Sequence, residues 1–160
     1  MRSVWAVVAG VLVIIVVTTA VDALLHAVDV FPPLAEPIDD RLAALATSYR
    51  IVISVGGAWL TARLAPDRPM RHAMILGYCG VVLGSIGLLA TWNLGLGPRW
   101  YPIALVVLAI PQCWAGGTIY MLKAAKRQDE RPTRALSSRS PSRTSSRSRA
   151  PARRTPHSPR

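Results

Sequence analysis

The stretch Val4–Leu25, VWAVVAGVLVIIVVTTAVDALL, decides the fold. Its first 18 residues hold no ionisable side chain. At about 1.5 Å of rise per residue, the whole stretch spans about 33 Å as a helix, enough to cross a hydrocarbon core of about 30 Å. The density of β-branched residues from Val11 to Thr19 would favour a strand in water. In lipid, each backbone N–H and C=O must find its partner within the segment, and a helix does this.

Three further apolar segments follow: Leu42–Leu64, His72–Trp92 and Trp100–Leu122. A helix packed at a water-facing surface shows a polar face at a period of about 3.6 residues. These segments mostly do not. The links between the last three are short: Pro66–Pro69 and Asn93–Arg99. Short links force sequential helices to run antiparallel. The predicted architecture is all-α: an integral membrane antiparallel bundle with helices at about 4–25, 42–64, 72–92 and 100–122. The first connection, about His26 to Asp39, is longer and is stiffened by Pro32, Pro33 and Pro37. Asp39 or Asp40 is expected to cap the second helix.

The charge is divided unevenly along the chain. Residues 123–160 carry twelve Lys/Arg and two acids, while residues 1–122 carry seven and six. The net charge of +11 therefore describes a tail and not a basic domain. The Arg/Ser/Pro-rich composition of that tail offers nothing to bury, so residues 123–160 are expected to form a disordered extension. Its arginines suit contact with anionic lipid. The absence of interleaved aromatics argues against nucleic acid. Lys/Arg counts in the loops set the orientation. Arg63, Arg68, Arg71 and the tail mark the cytoplasmic side. The first connection, with Arg41 against Asp29, Glu36, Asp39 and Asp40, marks the outer side. A multi-pass protein of an inner (plasma) membrane, with both termini cytoplasmic, follows. Trp92, Trp100 and Tyr101 are expected in an outer aromatic belt. The first stretch also resembles a signal peptide, with Arg2 before it and Val21-Asp22-Ala23 near its end. Its length and its single preceding basic residue favour a retained anchor.

Asp22, His26 and Asp29 have i, i+4, i+7 spacing, which places them on one face at the outer end of helix one. Arg50 should meet them. The apolar run after it, Ile51–Leu64, has only 14 residues, about 21 Å of helix, so Arg50 must lie inside the outer boundary. An unpaired charge at the bilayer centre costs at least about 2.5–3.5 kcal/mol, which pairing with Asp22 would reduce. Thr47, Ser48 and Tyr49 offer further hydrogen bonds. The cluster reads either as an interfacial ion pair or as a polar entry point for a proton, ion or small solute. Two carboxylates and one His, without a second His or Cys, make a poor metal set.

Helix three carries Gly77, Gly80, Gly84 and Gly87 on one stripe, with Gly80-x-x-x-Gly84 matching the close-packing pattern of membrane helices. The stripe could pack within the bundle, or against a second copy or another membrane protein. Gly56, Gly57, Gly116 and Gly117 are candidate counterparts. Pro111 should disturb helix four near its middle, beside the polar Gln112. Cys79 and Cys113 read as free thiols in apolar runs. GxSxG, HExxH, P-loop and GxGxxG patterns are all missing, so neither enzymatic activity nor a cofactor is expected. Two functional readings remain. One is a structural, accessory or partner-binding membrane protein. The other is a transporter or channel component working through Asp22, His26 and Arg50.

Overall fold

The computed structural model of the chain describes residues 2–33 and 36–138. Four helices follow one another: α1 Arg2–Ala27, α2 Asp40–Leu64, α3 Pro69–Thr91 and α4 Trp100–Ser138. No strand occurs among the described residues. All four helices are long and apolar enough to cross a membrane, over Ser3–Ala27, Asp40–Leu64, Pro69–Thr91 and Trp100–Gln128. The protein is a small multi-pass membrane bundle.

The chain divides into two compact units, residues 1–126 and 127–160. The first holds the bundle. Of the second, the described backbone to Ser138 continues α4. The expected end of helix four at Leu122 is therefore too early, and residues 123–138, assigned by composition to the tail, are helical. Lys123–Glu130 (KAAKRQDE) consists almost wholly of strong helix formers, which explains the continuation. The expectation of disorder for 139–160 lies outside the described residues.

The bundle interior is built from small side chains. Six of its nine buried hydrophobic residues are alanine: Ala6, Ala43, Ala46, Ala58, Ala62 and Ala73. Large apolar side chains face outward instead, with Val52, Leu89 and Leu122 each more than 65% exposed. This inverts the rule for proteins in water. Lipid tails solvate leucine as well as a core does, so helix association in lipid relies on close backbone approach.

The glycines show where that approach occurs. A Cβ on Gly77 would lie 3.1 Å from the Cβ of Cys113, on Gly80 3.3 Å from the Cβ of Ala109, and on Gly84 3.2 Å from Cγ2 of Val106. Partner numbers fall as the glycine numbers rise, so α3 and α4 run antiparallel. Gly87, expected on the same packing stripe, has nothing within 4 Å of such an atom. The two helices diverge there because a cavity opens between them. Gly57 packs on Ile14 and the Gly10 carbonyl of α1, Gly116 on Val55, Ala58 and Trp59 of α2, and Gly117 on Met70 and Ala73 of α3. Gly56 faces open space. Gly10 is a close-approach point that the sequence did not single out, in contact with Thr61 and the Gly57 carbonyl.

The connections are ordered by local chemistry. Asp39 is the N-cap of α2, its Oδ1 accepting from the Leu42 N–H at 2.8 Å. At the other end of the bundle, Arg68 precedes α3 with φ 47°, a left-handed conformation that L side chains adopt at a cost. The first and third connections meet: the Ile38 N–H donates to the Leu96 carbonyl at 3.0 Å, and Trp100 Nε1 donates to Asp40 Oδ1 at 2.7 Å. This end is called the loop end below.

Candidate functional site

α1 stops at Ala27 because the next residues turn back on it. The Asp29 N–H donates to the His26 carbonyl at 3.2 Å, and the Val30 N–H to the Leu25 carbonyl at 3.0 Å. Asp29 sits between them at φ 54°. This paired i−3 and i−5 bonding around one left-handed residue is a Schellman cap, and Asp is among the few non-glycine residues that tolerate the position. Asp29 is consequently off the helix and exposed, and does not join Asp22 and His26 on one face. The expected i+7 alignment fails because the helix has already ended. The same cap folds Phe31 inward to 7% exposure, where its ring meets His26 edge-on at 5.5 Å.

His26 does not reach the Asp22 carboxylate either. Its Nδ1 lies 2.8 Å from the backbone carbonyl of Asp22, one turn back on its own helix. The carboxylate is instead held by α2. Arg50 Nη2 donates to Oδ2 at 2.6 Å, and the Tyr49 hydroxyl donates to Oδ1. Adjacent residues of one helix thus occupy both oxygens of a carboxylate on its neighbour. The pair is 29% exposed on each side, neither sealed in the core nor freely solvated. Arg50 Nε is buried without a hydrogen-bond partner among the described residues. Thr47 and Ser48 bond back to the Ala43 and Ala44 carbonyls of their own helix and take no part.

Two cavities meet at this cluster. The larger, about 710 Å³, lies at the loop end between the first and third connections. His26, Glu36, Asn93, Arg99 and Tyr101 supply its polar walls. The smaller, about 260 Å³, lies deeper among all four helices, with mainly aliphatic walls relieved by Thr18, Ser54 and Gln112. Arg50, Gly84 and Leu105 line both. Arg50 therefore stands at the waist between an outer vestibule and an inner chamber, and Asp22 and Tyr49 hold it there. Gly84 keeps the opposite wall low.

The cavities draw in residues that the sequence reading assigns to packing or to the belt, and one, Ser54, that it does not single out. Tyr101, expected in the aromatic belt, instead lines the vestibule and is only partly exposed. Trp92, which also lines the vestibule, and Trp100 are exposed, Trp92 with the Arg99 guanidinium 5.7 Å from its ring. Gln112, 7% exposed, borders the inner chamber and makes no side-chain hydrogen bond among the described residues. A polar residue one position after Pro111 was the available signal. Gly87 lines the vestibule. Ser54 gave no signal, since a serine in an apolar helix ordinarily bonds to its own backbone. No group of three or more His, Cys, Asp or Glu converges among the described residues. Cys79 and Cys113 are free. No protein family matches the chain, and neither does any curated protein or solved structure.

Proposed function

We propose that the protein is a transporter or channel component for a small solute, ion or proton, with Asp22 and Arg50 as its polar waist and no catalytic chemistry. The supporting observation is the placement of Arg50 on the wall of two adjoining cavities, fixed by a carboxylate from another helix. A charged residue inside a membrane segment is expensive and marks pathways more often than it marks inert packing. The vestibule sets His26, Glu36, Asn93 and Arg99 among mainly apolar walls, which suits a partly hydrated species, and the inner chamber, aliphatic but for Thr18, Arg50, Ser54 and Gln112, suits one that has shed more of its water. By the loop charges, the vestibule opens outward from a plasma membrane and both termini are cytoplasmic.

A structural or accessory role is the second reading. It draws on the fact that the same ion pair ties α1 to α2. Docking of a partner on the helix-three stripe has less support, because Gly77, Gly80 and Gly84 are already covered by α4.

Reconstitution separates the two. Liposomes containing the wild-type protein should dissipate an imposed proton gradient, or take up members of a panel of small labelled ions and amphiphiles, faster than empty liposomes. Arg50→Leu and Asp22→Asn should lose that flux at unchanged levels of folded protein. If flux falls only in proportion to folded protein, or never exceeds the empty-liposome rate, the transport reading is wrong.

A further inference from the structure

A second charged group lies at the opposite end of the bundle, where the N-terminus, the 65–68 link and Lys123 gather. Trp59 and Arg63 are one turn apart on α2 and share a face. Gly116 of α4 approaches α2 at Ala58 and Trp59, closely enough that no side chain separates the helices. Lys123 is seven residues beyond Gly116, back on the same face, so the close approach delivers it to Trp59. The Arg63 guanidinium lies 5.5 Å from the Trp59 ring centroid and the Lys123 ammonium 5.8 Å. Two cations from two helices therefore converge on one indole.

Among the described residues, no carboxylate pairs with either cation. The other charges at this end of the first unit are Arg2, Arg68, Arg71 and Lys126 against the single acid Asp67. The Asp22–Arg50 pair is the one salt bridge among the described residues, so Asp67 neutralises none of these cations within 4 Å. Neither Arg63 nor Lys123 hydrogen-bonds to a described residue, and both are exposed. The indole N–H of Trp59 is buried and finds no acceptor among the described residues. A cation over an indole face gains about 0.5–1 kcal/mol at an exposed site, which does not require a second like charge beside it. Two cations meet on this ring, and no described carboxylate joins them.

We propose that Trp59, Arg63 and Lys123 form a binding site for the phosphate of an anionic membrane lipid. A phosphodiester supplies negative charge and acceptor oxygens for both cations. The site is at the end of membrane-spanning helices, where tryptophan and basic side chains meet lipid headgroups. The acyl chains then lie along the exposed apolar surface of α2 and α4, which includes Val52 and Leu122.

The test is lipid retention by the full chain. Protein is purified in detergent and exchanged into phosphatidylcholine with phosphatidylglycerol mixed in, and bound lipid is counted by native mass spectrometry. Wild type should retain phosphatidylglycerol over phosphatidylcholine. Arg63→Gln with Lys123→Gln should weaken that retention by at least roughly 30-fold, since two charge-assisted hydrogen bonds to the phosphate are lost. Arg68→Gln with Arg71→Gln removes the same charge from the same end and should leave retention nearly intact. Circular dichroism and size-exclusion profiles confirm that each variant is folded. Equal loss in both double variants would show general charge attraction and overturn the site, as would full retention in Arg63→Gln/Lys123→Gln. Displacement of the lipid by inorganic phosphate at comparable concentration would show that the site takes a free anion and not a lipid.

Discussion

Asp22 and Arg50 should be unequal in what their loss costs. Asp22→Ala leaves a guanidinium that cannot shed its proton and a Tyr49 hydroxyl without its acceptor. Stranding one member of a fully buried pair costs about 3–5 kcal/mol. With 29% exposure and a cavity beside it, a cost of roughly 2–4 kcal/mol is expected here. Arg50→Leu leaves a carboxylate that still accepts from Tyr49, so roughly 1–2 kcal/mol is expected. The double variant Asp22→Ala/Arg50→Leu removes both charges and should fall short of the sum by about 1–3 kcal/mol. The assay is reversible unfolding in mixed micelles, titrated with dodecyl sulfate and followed by circular dichroism. If Arg50→Leu is the costlier single change, or if the double variant equals the sum, the pair is not the coupled unit described.

Gly116→Ala should destabilise by more than about 2 kcal/mol, because its Cβ would strike the Val55 carbonyl, Ala58 and the Trp59 backbone, whereas Gly56→Ala, in open space, should be neutral or gain up to about 1 kcal/mol; the same micelle titration reads both. Arg68→Gly relieves a positive φ and should raise the melting temperature slightly, by an amount equivalent to about 1 kcal/mol or less. Asp39→Ala should lose about 1 kcal/mol with its N-cap, and Asp39→Asn should retain most of it, on thermal melting in detergent. In a background with Cys79→Ala and Cys113→Ala, Ser54→Cys facing the inner chamber should react with a charged thiol reagent faster than Val52→Cys on the 71% exposed lipid-side surface, as followed by mass increase.

The parts of the fold that depend on counting along the chain were legible in advance. Spans as long and apolar as Val4–Leu25 leave a backbone in lipid little choice, and the observed helix starts differ from the expected ones by at most three residues. The Asp22–Arg50 pairing was legible for the same reason: fourteen apolar residues are too few to cross, so Arg50 had to lie where Asp22 also lies. What was not legible depends on direction. His26 and Asp29 fail to join the carboxylate because α1 ends in a left-handed cap, and such a cap at an aspartate leaves no clear mark in the sequence. Tyr101 occupies a belt position but turns inward, since belt position says nothing of rotation about the helix. Gly10 is a lone glycine without a repeat to flag it. The larger cavity arises where α3 and α4 part beyond Gly84, a property of two helices that neither sequence carries alone.

The bond from Ile38 to Leu96 and the one from Trp100 to Asp40 join two connections that otherwise share no secondary structure. The first lies on the wall of the larger cavity and the second ties the start of α4 to the start of α2, so any widening of that cavity would have to break a backbone bond and one held by a carboxylate.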